Sequence, residues 1–184
     1  MLNIPNQLAL SRILLAPLLF WVILTPELFT DNGWHITWNY YFSTLIFVLA
    51  SATDFFDGYI ARELDQKTML GAILDPLADK MLTLAAFLGL MVMGDASPWA
   101  IYIIIIRELF ITGLRTVAVG ENLDISASWA GKIKTVMQMI AIGFLLMHWP
   151  FANILLWLAV ALTLYSGGEY IYGFRKAFLK ETFQ

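Results

Sequence analysis

The amino-acid sequence predicts an all-α protein that crosses a membrane six times. Of its 184 residues, 60% are hydrophobic and only 14% are charged, whereas soluble domains average about 45–50% apolar residues. The apolar residues also form blocks of about 20, the length that a helix needs to span a bilayer. We therefore predict one polytopic integral-membrane domain over residues 1–184.

Six apolar segments are the candidates for membrane-spanning helices. They cover residues 8–25, 38–60, 73–93, 99–119, 129–149 and 154–174. Ser97 followed by Pro98 is typical of a helix start, and tryptophans stand near several segment ends, as interfacial aromatic residues do. The first segment is not expected to be a cleaved signal peptide, because no small-residue cleavage site follows it.

The distribution of lysine and arginine predicts that both termini face the cytoplasm. Basic residues occur in the connection after the second segment, in the connection after the fourth, and in the C-terminal tail; they include Arg62, Lys67, Arg115, Lys132, Lys134, Arg175, Lys176 and Lys180. The other connections carry none, and basic loops stay on the cytoplasmic side. His35 and His148 then lie on the opposite side, where we expect two exposed loop residues without a catalytic role.

Two further observations exclude classes of function. The chain has no cysteine, which rules out disulfides, thiolate metal sites and a cysteine nucleophile. The net charge of −3 comes without a basic run, so nothing indicates binding to nucleic acid.

Four aspartates carry the chemistry that the sequence indicates. Asp54 and Asp57 are three residues apart near the end of the second segment, and Asp75 and Asp79 are four apart in the third. Each spacing places a pair on one helix face, and the short connection predicts that the two helices are antiparallel neighbours. Four carboxylates repel one another unless cations lie between them. Oxygen ligands favour Mg²⁺ or Mn²⁺, and four of them suit an ion pair of the kind used in phosphoryl transfer.

A single aspartate at a helix end is usually just solvated. Four at the ends of membrane helices are difficult to explain in that way, because ionisable groups there are costly and usually functional. Gly58 and Gly71 leave room for a ligand to approach the backbone, and Ala61 keeps the face beyond Asp57 open.

Residues 54–79 follow the spacing D-x2-D-G-x2-A-R-x8-G-x3-D-x3-D. Without a mismatch, this pattern resembles the signature of the CDP-alcohol phosphotransferase family, and the six-segment architecture extends the resemblance over the whole chain. The resemblance implies that Asp54, Asp57 and Asp75 hold two divalent cations. It implies that Asp79 contacts metal and is the general base. It also implies a CDP-diacylglycerol site that includes Asp54, Gly58, Ala61, Arg62 and Gly71.

The same resemblance implies a location and an assembly. The active site is expected at the cytoplasmic face of a bacterial-type inner membrane, where acyl chains stay in lipid while the CDP group meets the acceptor in water. A homodimer is also expected.

Several basic residues point to an anionic acceptor. They are Arg12, Arg107, Arg115, Lys132 and Lys134. An arginine such as Arg107, about 13 Å along its helix, is expensive in a membrane unless it is paired or faces a polar cavity. The alternative is that the lysines mark the membrane boundary and that Arg107 only pairs with Glu108.

The motifs Asn3-Ile4-Pro5-Asn6, Arg107-Glu108 and Gly131-Lys132-Ile133-Lys134-Thr135, with Arg12 and Arg115, resemble the phosphatidylglycerophosphate synthase branch of the family. That resemblance implies sn-glycerol 3-phosphate as the acceptor, which fits several cations better than a neutral alcohol would.

Other functions stay open at this point. A sister transferase would use another acceptor and make cardiolipin, phosphatidylserine or phosphatidylinositol phosphate. A divalent-cation transporter is the alternative outside enzymes, but it predicts acids through the membrane depth, whereas the four aspartates cluster at one end. A structural scaffold explains neither the aspartates nor the buried arginine.

Overall fold

The computed structural model describes residues 4–63, 69–121 and 128–182. Of the side chains in these ranges, those of residues 4–6, 8, 54–63, 69–76, 79 and 180–182 are outside the description. The described part contains seven helices: α1 (Ile4–Leu24), α2 (Glu27–Thr30), α3 (Thr37–Glu63), α4 (Met69–Val92), α5 (Pro98–Gly120), α6 (Trp129–Leu146) and α7 (Ala152–Thr182). No strand occurs in these ranges, and the all-α prediction is therefore confirmed for them.

Each of the six predicted segments corresponds to one long helix. Helix α5 begins at Pro98 as expected, and Ser97 precedes it in an extended conformation, although its side chain makes no capping hydrogen bond. The short helix α2 was not predicted, because its single turn lies in a polar connection without periodicity.

Two of the described helices are long and apolar enough to cross a membrane by length and composition, Trp129–Leu146 and Ala152–Leu179. Ala9–Leu24 and Lys80–Val92 are shorter apolar stretches, and α5 carries three charged residues. Large apolar side chains face outward on several helices: Leu14 is 66% exposed, Leu109 65% and Tyr172 73%. A soluble protein rarely exposes so many. The structure is thus consistent with a membrane protein, and the six crossings remain a prediction.

The chain forms two compact units. The first contains residues 1–96 and 142–150, and its core is the packing of α1 against α3 and α4. Small residues at these contacts let the helices approach closely: Ala9, Ala50 and Ala86 are fully buried. A side chain at Gly89 would lie 3.0 Å from Ile23 Cγ2, so close packing requires glycine there.

Asp95 and His148 form a polar contact in the loops that follow α4 and α6. Helix α4 ends at Val92, and Gly94 two residues later has a left-handed backbone (φ +83°). The Asp95 N–H then donates a hydrogen bond to the Leu90 carbonyl at 2.9 Å. Asp95 Oδ2 lies 3.6 Å from His148 Nε2, and the His148 ring lies on Tyr40 with a centroid distance of 4.1 Å. Burial raises the pKa of Asp95, and the neighbouring His148 opposes this in part. His148 is an exposed loop residue, and its partner Asp95 was not predicted.

The second unit contains residues 97–141 and 151–184, and α5 packs against α7. Its apolar core includes Ile101, Ile104, Leu156 and Ala159, all 2% exposed or less. It also buries several polar residues of α6 and α7. These polar residues organise the charged groups described next.

Candidate active site

The four aspartates lie on neighbouring helices of the first unit. Asp54 and Asp57 are in α3, whereas Asp75 and Asp79 are in α4, and the two helices pack against each other. Asp57 is six residues before the end of α3 and Asp75 six residues after the start of α4, so each is about 9 Å of helix from the connection. The two residues are thus equally far along their helices from the connection, and all four side chains are outside the description.

The other residues of the signature belong to the same helix ends. Gly58, Ala61 and Arg62 are in the last turns of α3, and Gly71 is in the first turn of α4. Their side-chain surroundings, and the whole of Lys67, lie outside the described residues. Among the side chains that are described, no three histidine, aspartate or glutamate residues come together as a metal site would require. The proposed metal ligands are not part of that set.

A buried charged cluster lies in the second unit. Glu108 Oε1 accepts a hydrogen bond from Arg107 Nη1 at 3.2 Å and one from Lys134 Nζ. The three side chains are only 12%, 18% and 8% exposed for Arg107, Glu108 and Lys134. One carboxylate therefore binds two cations, and it joins α5 to α6.

Helix α7 completes this cluster through two hydroxyl groups. Arg107 Nη2 donates to Ser166 Oγ at 2.8 Å, and Ser166 Oγ donates to the Thr163 carbonyl at 3.1 Å. Gln138 Nε2 of α6 donates to Thr163 Oγ1 at 3.0 Å. Buried polar groups need protein partners, and these hydrogen bonds supply them, although the buried Arg107 Nε itself makes none. The hydrogen bonds connect α5, α6 and α7, and we call these residues the polar network: Arg107, Glu108, Lys134, Gln138, Thr163 and Ser166.

A glycine makes room for the guanidinium group of this network. A Cβ atom on Gly167 would lie 3.1 Å from Arg107 Nε and 3.3 Å from Arg107 Cγ. Gly168 next to it is exposed, and a Cβ there would meet nothing within 4 Å. Arg107 thus packs directly over the backbone of α7 at residue 167.

The remaining predicted cations of the second unit have different surroundings. Arg115 is exposed, and its guanidinium lies over the Tyr170 ring at 5.9 Å. Lys132 is also exposed, with its ammonium 5.4 Å from the centroid of the exposed Trp129 ring. Residues two apart point to different sides of a helix, which explains why Lys132 and Lys134 differ. The position of Lys132 is typical of a boundary residue.

Arg12 belongs to the first unit and is 1% exposed. It has an interaction partner there, as a buried guanidinium requires. The five predicted cations therefore comprise three buried or half-buried residues, Arg12, Arg107 and Lys134, and two exposed residues.

Sequence analysis did not identify the neutral members of the polar network. Gln138, Thr163 and Ser166 stand singly in apolar segments, and each is at most 5% exposed. Such residues are common in membrane helices as interhelical hydrogen-bonding groups. Their presence was a usable signal, but a single sequence does not reveal which partner each one meets.

Comparison with known proteins gives a consistent result. A model of the family described as CDP-alcohol phosphatidyltransferase matches residues 2–165. A protein of Bacillus subtilis named CDP-diacylglycerol--glycerol-3-phosphate 3-phosphatidyltransferase is 40% identical over 184 residues, covering 92% of this chain and 94% of the relative. A protein of the same name from Escherichia coli K12 is 36% identical over 180 residues, covering 92% and 93%.

Proposed function

The chain belongs to the CDP-alcohol phosphatidyltransferase family, and we propose that it transfers the phosphatidyl group of CDP-diacylglycerol to sn-glycerol 3-phosphate. CMP is the leaving group, and the product is phosphatidylglycerophosphate. The observation that carries the choice of acceptor is the similarity, over 92% of the chain, to relatives whose name states this reaction. The cations of the second unit agree with an acceptor that carries its own phosphate.

Asp54, Asp57, Asp75 and Asp79 are the residues that would hold divalent cations, Mg²⁺ or Mn²⁺, in the proposed enzyme. The donor set fits such ions, because it consists of carboxylate oxygens alone. When bound, divalent cations neutralise the charge of a diphosphate during phosphoryl transfer. The placement of two aspartates on each of two packed helices supports a shared site.

In this proposal, Asp79 accepts the proton of the acceptor hydroxyl. The hydroxyl oxygen forms a bond to the lipid-linked phosphorus as the bond from that phosphorus to the CMP oxygen breaks. Gly58, Ala61 and Gly71 leave space for the CDP group, and Arg62 pairs with its phosphate. Such catalysis depends mainly on positioning and on charge neutralisation.

Arg107, Arg115 and Lys134 are the proposed ligands or neighbours of the acceptor phosphate, with Lys132 and Arg12 as the weaker candidates. The polar network supports this assignment for Lys134, because Glu108 holds its ammonium in a buried position. For Lys132, the contact with exposed Trp129 favours a role at the membrane boundary.

We also propose six membrane crossings in one domain, with both termini in the cytoplasm of a bacterial cell and with a second copy of the chain as partner. Six long helices, two of which are apolar enough to span a membrane, and the basic connections support this topology. Since the chain has no cysteine, a single Lys67→Cys substitution tests it. The new thiol should resist a membrane-impermeant maleimide in sealed cells and react after permeabilisation. Labelling in sealed cells would refute the orientation.

The reaction itself is tested by CMP release from CDP-diacylglycerol with the purified protein in detergent. Glycerol 3-phosphate, phosphatidylglycerol, serine and inositol phosphate are offered in turn, with and without EDTA. Release that needs both glycerol 3-phosphate and metal is the expected result. Release with another acceptor would retain the aspartate chemistry and reject the acceptor, and release with none would reject the proposed function.

A further inference from the structure

We propose that Glu108 is a positioning residue for the acceptor: its carboxylate holds the Lys134 ammonium where the acceptor phosphate binds. This inference deepens the proposed function and rests on it. It assigns distinct roles to Arg107 and Lys134, which the sequence presented as equivalent cations.

The first step is the position of the carboxylate between two cations. Glu108 Oε1 contacts Arg107 on its own helix and Lys134 on α6. All three side chains are less than one-fifth exposed, so solvent screens their charges only weakly. Without the carboxylate, the two cations would repel each other, and the flexible lysine would turn its ammonium towards water.

The second step is that Arg107 is fixed from three sides. Glu108 accepts a hydrogen bond from its Nη1 and Ser166 one from its Nη2, and the backbone at Gly167 lies against its Nε and Cγ. A guanidinium held in this way connects α5 to α7. It fixes the position of the Glu108 carboxylate, which in turn fixes the position of the Lys134 ammonium.

The third step concerns the orientation of the Lys134 ammonium. Its contact with Glu108 fixes the end of a side chain that is only 8% exposed. An ammonium has three N–H donors and can therefore serve a carboxylate and a phosphate at the same time. A lysine oriented by Glu108 is thus already in position before the acceptor binds, so binding costs less side-chain entropy.

The test is the kinetics of Glu108→Gln with both substrates. We expect the KM for glycerol 3-phosphate to rise at least tenfold, while the KM for CDP-diacylglycerol stays within twofold and kcat falls much less than kcat/KM for the acceptor. Glu108→Asp keeps the charge on a shorter stem and should restore part of the loss. Glu169→Gln is the matched control, because it makes the same change at an exposed position of α7 and should leave both KM values unchanged.

A purely structural role would give a different pattern. Loss of thermal stability with both KM values unchanged would overturn the proposal, as would equal increases in both. If Glu108→Gln does not fold, Glu108→Asp decides: a raised acceptor KM supports the proposal, and a normal KM with lower stability overturns it. A different result would refute the proposed function itself, namely that the wild-type protein releases no CMP with glycerol 3-phosphate.

Discussion

Gly167→Ala tests whether the guanidinium of Arg107 is as tightly held as its contacts indicate. The added Cβ would lie 3.1 Å from Nε and 3.3 Å from Cγ of Arg107, so the arginine would have to move by a few tenths of an ångström. The arginine cannot move cheaply, since Glu108 and Ser166 hold its terminal nitrogens at 3.2 and 2.8 Å. We expect the hydrogen bond to Ser166 to be lost first, because Glu108 is the neighbour of Arg107 in the chain and can follow it.

The magnitude follows from two opposing terms. A hydrogen bond to a charged group contributes about 1.5–3 kcal/mol. Alanine is better than glycine inside a helix by about 1 kcal/mol, which offsets part of the loss. The free energy of unfolding should therefore fall by about 0.5–2 kcal/mol, and the melting temperature by about 1–8 °C at 2–4 °C per kcal/mol for a chain of this size.

Thermal unfolding in detergent measures this change, with Gly168→Ala as the matched control. A Cβ at residue 168 would meet nothing within 4 Å, so only the helix propensity should act, and the melting temperature should stay the same or rise. Acceptor KM should increase for the residue-167 variant alone, because Arg107 fixes Glu108. Equal melting temperatures for the two alanine variants would refute the idea that Arg107 is locked against α7.

Three further predictions concern other parts of the molecule. Asp79→Asn should abolish CMP release while CDP-diacylglycerol binding, measured by equilibrium dialysis of the detergent-solubilised protein, largely survives; near-wild-type turnover would exclude Asp79 as the general base. Lys134→Ala should raise the acceptor KM severalfold in steady-state assays and Lys132→Ala should not, and equal effects would contradict the separation of the two lysines. Burial raises the pKa of Asp95 above its ordinary value of 3.8, so ionising this carboxyl costs folding free energy. Asp95→Asn should therefore become more stable than the wild type as the pH rises through the raised pKa of Asp95, and both proteins should unfold at the same temperature below pH 3.8. A difference between the two melting temperatures that does not change with pH would contradict the effect of burial.

The sequence was sufficient to predict the helices because their signal is local. Apolar blocks of about 20 residues and Pro98 after Ser97 each act over a short stretch of chain, and the six long helices follow them. Helix α2 was missed for the same reason, since four residues are too few to show a helical period.

The placement of the four aspartates on two packed helices was also predictable from the sequence, and their position on shared helix faces stays a prediction. The contacts of the polar network could not be predicted from the sequence to the same extent. Arg107 and Ser166 are 59 residues apart in the chain, and Gln138 and Thr163 are 25 apart. Which polar residue meets which depends on how helices rotate and shift against one another, and no local pattern encodes that.

The position of the network has a consequence for how this protein can evolve. Helices in lipid gain little from burying apolar surface against each other, so close packing and interhelical hydrogen bonds hold them together. In the second unit, the same six residues connect α5, α6 and α7 and, as we propose, orient the lysine that binds the acceptor. A substitution that adapts the site to an acceptor without a phosphate can remove Lys134, because Glu108 then stays paired with Arg107. Replacing Glu108 instead leaves two cations without their shared carboxylate, and removing one partner of a buried ion pair costs about 3–5 kcal/mol. A change of acceptor is therefore expected to begin at Lys134 and to retain Glu108.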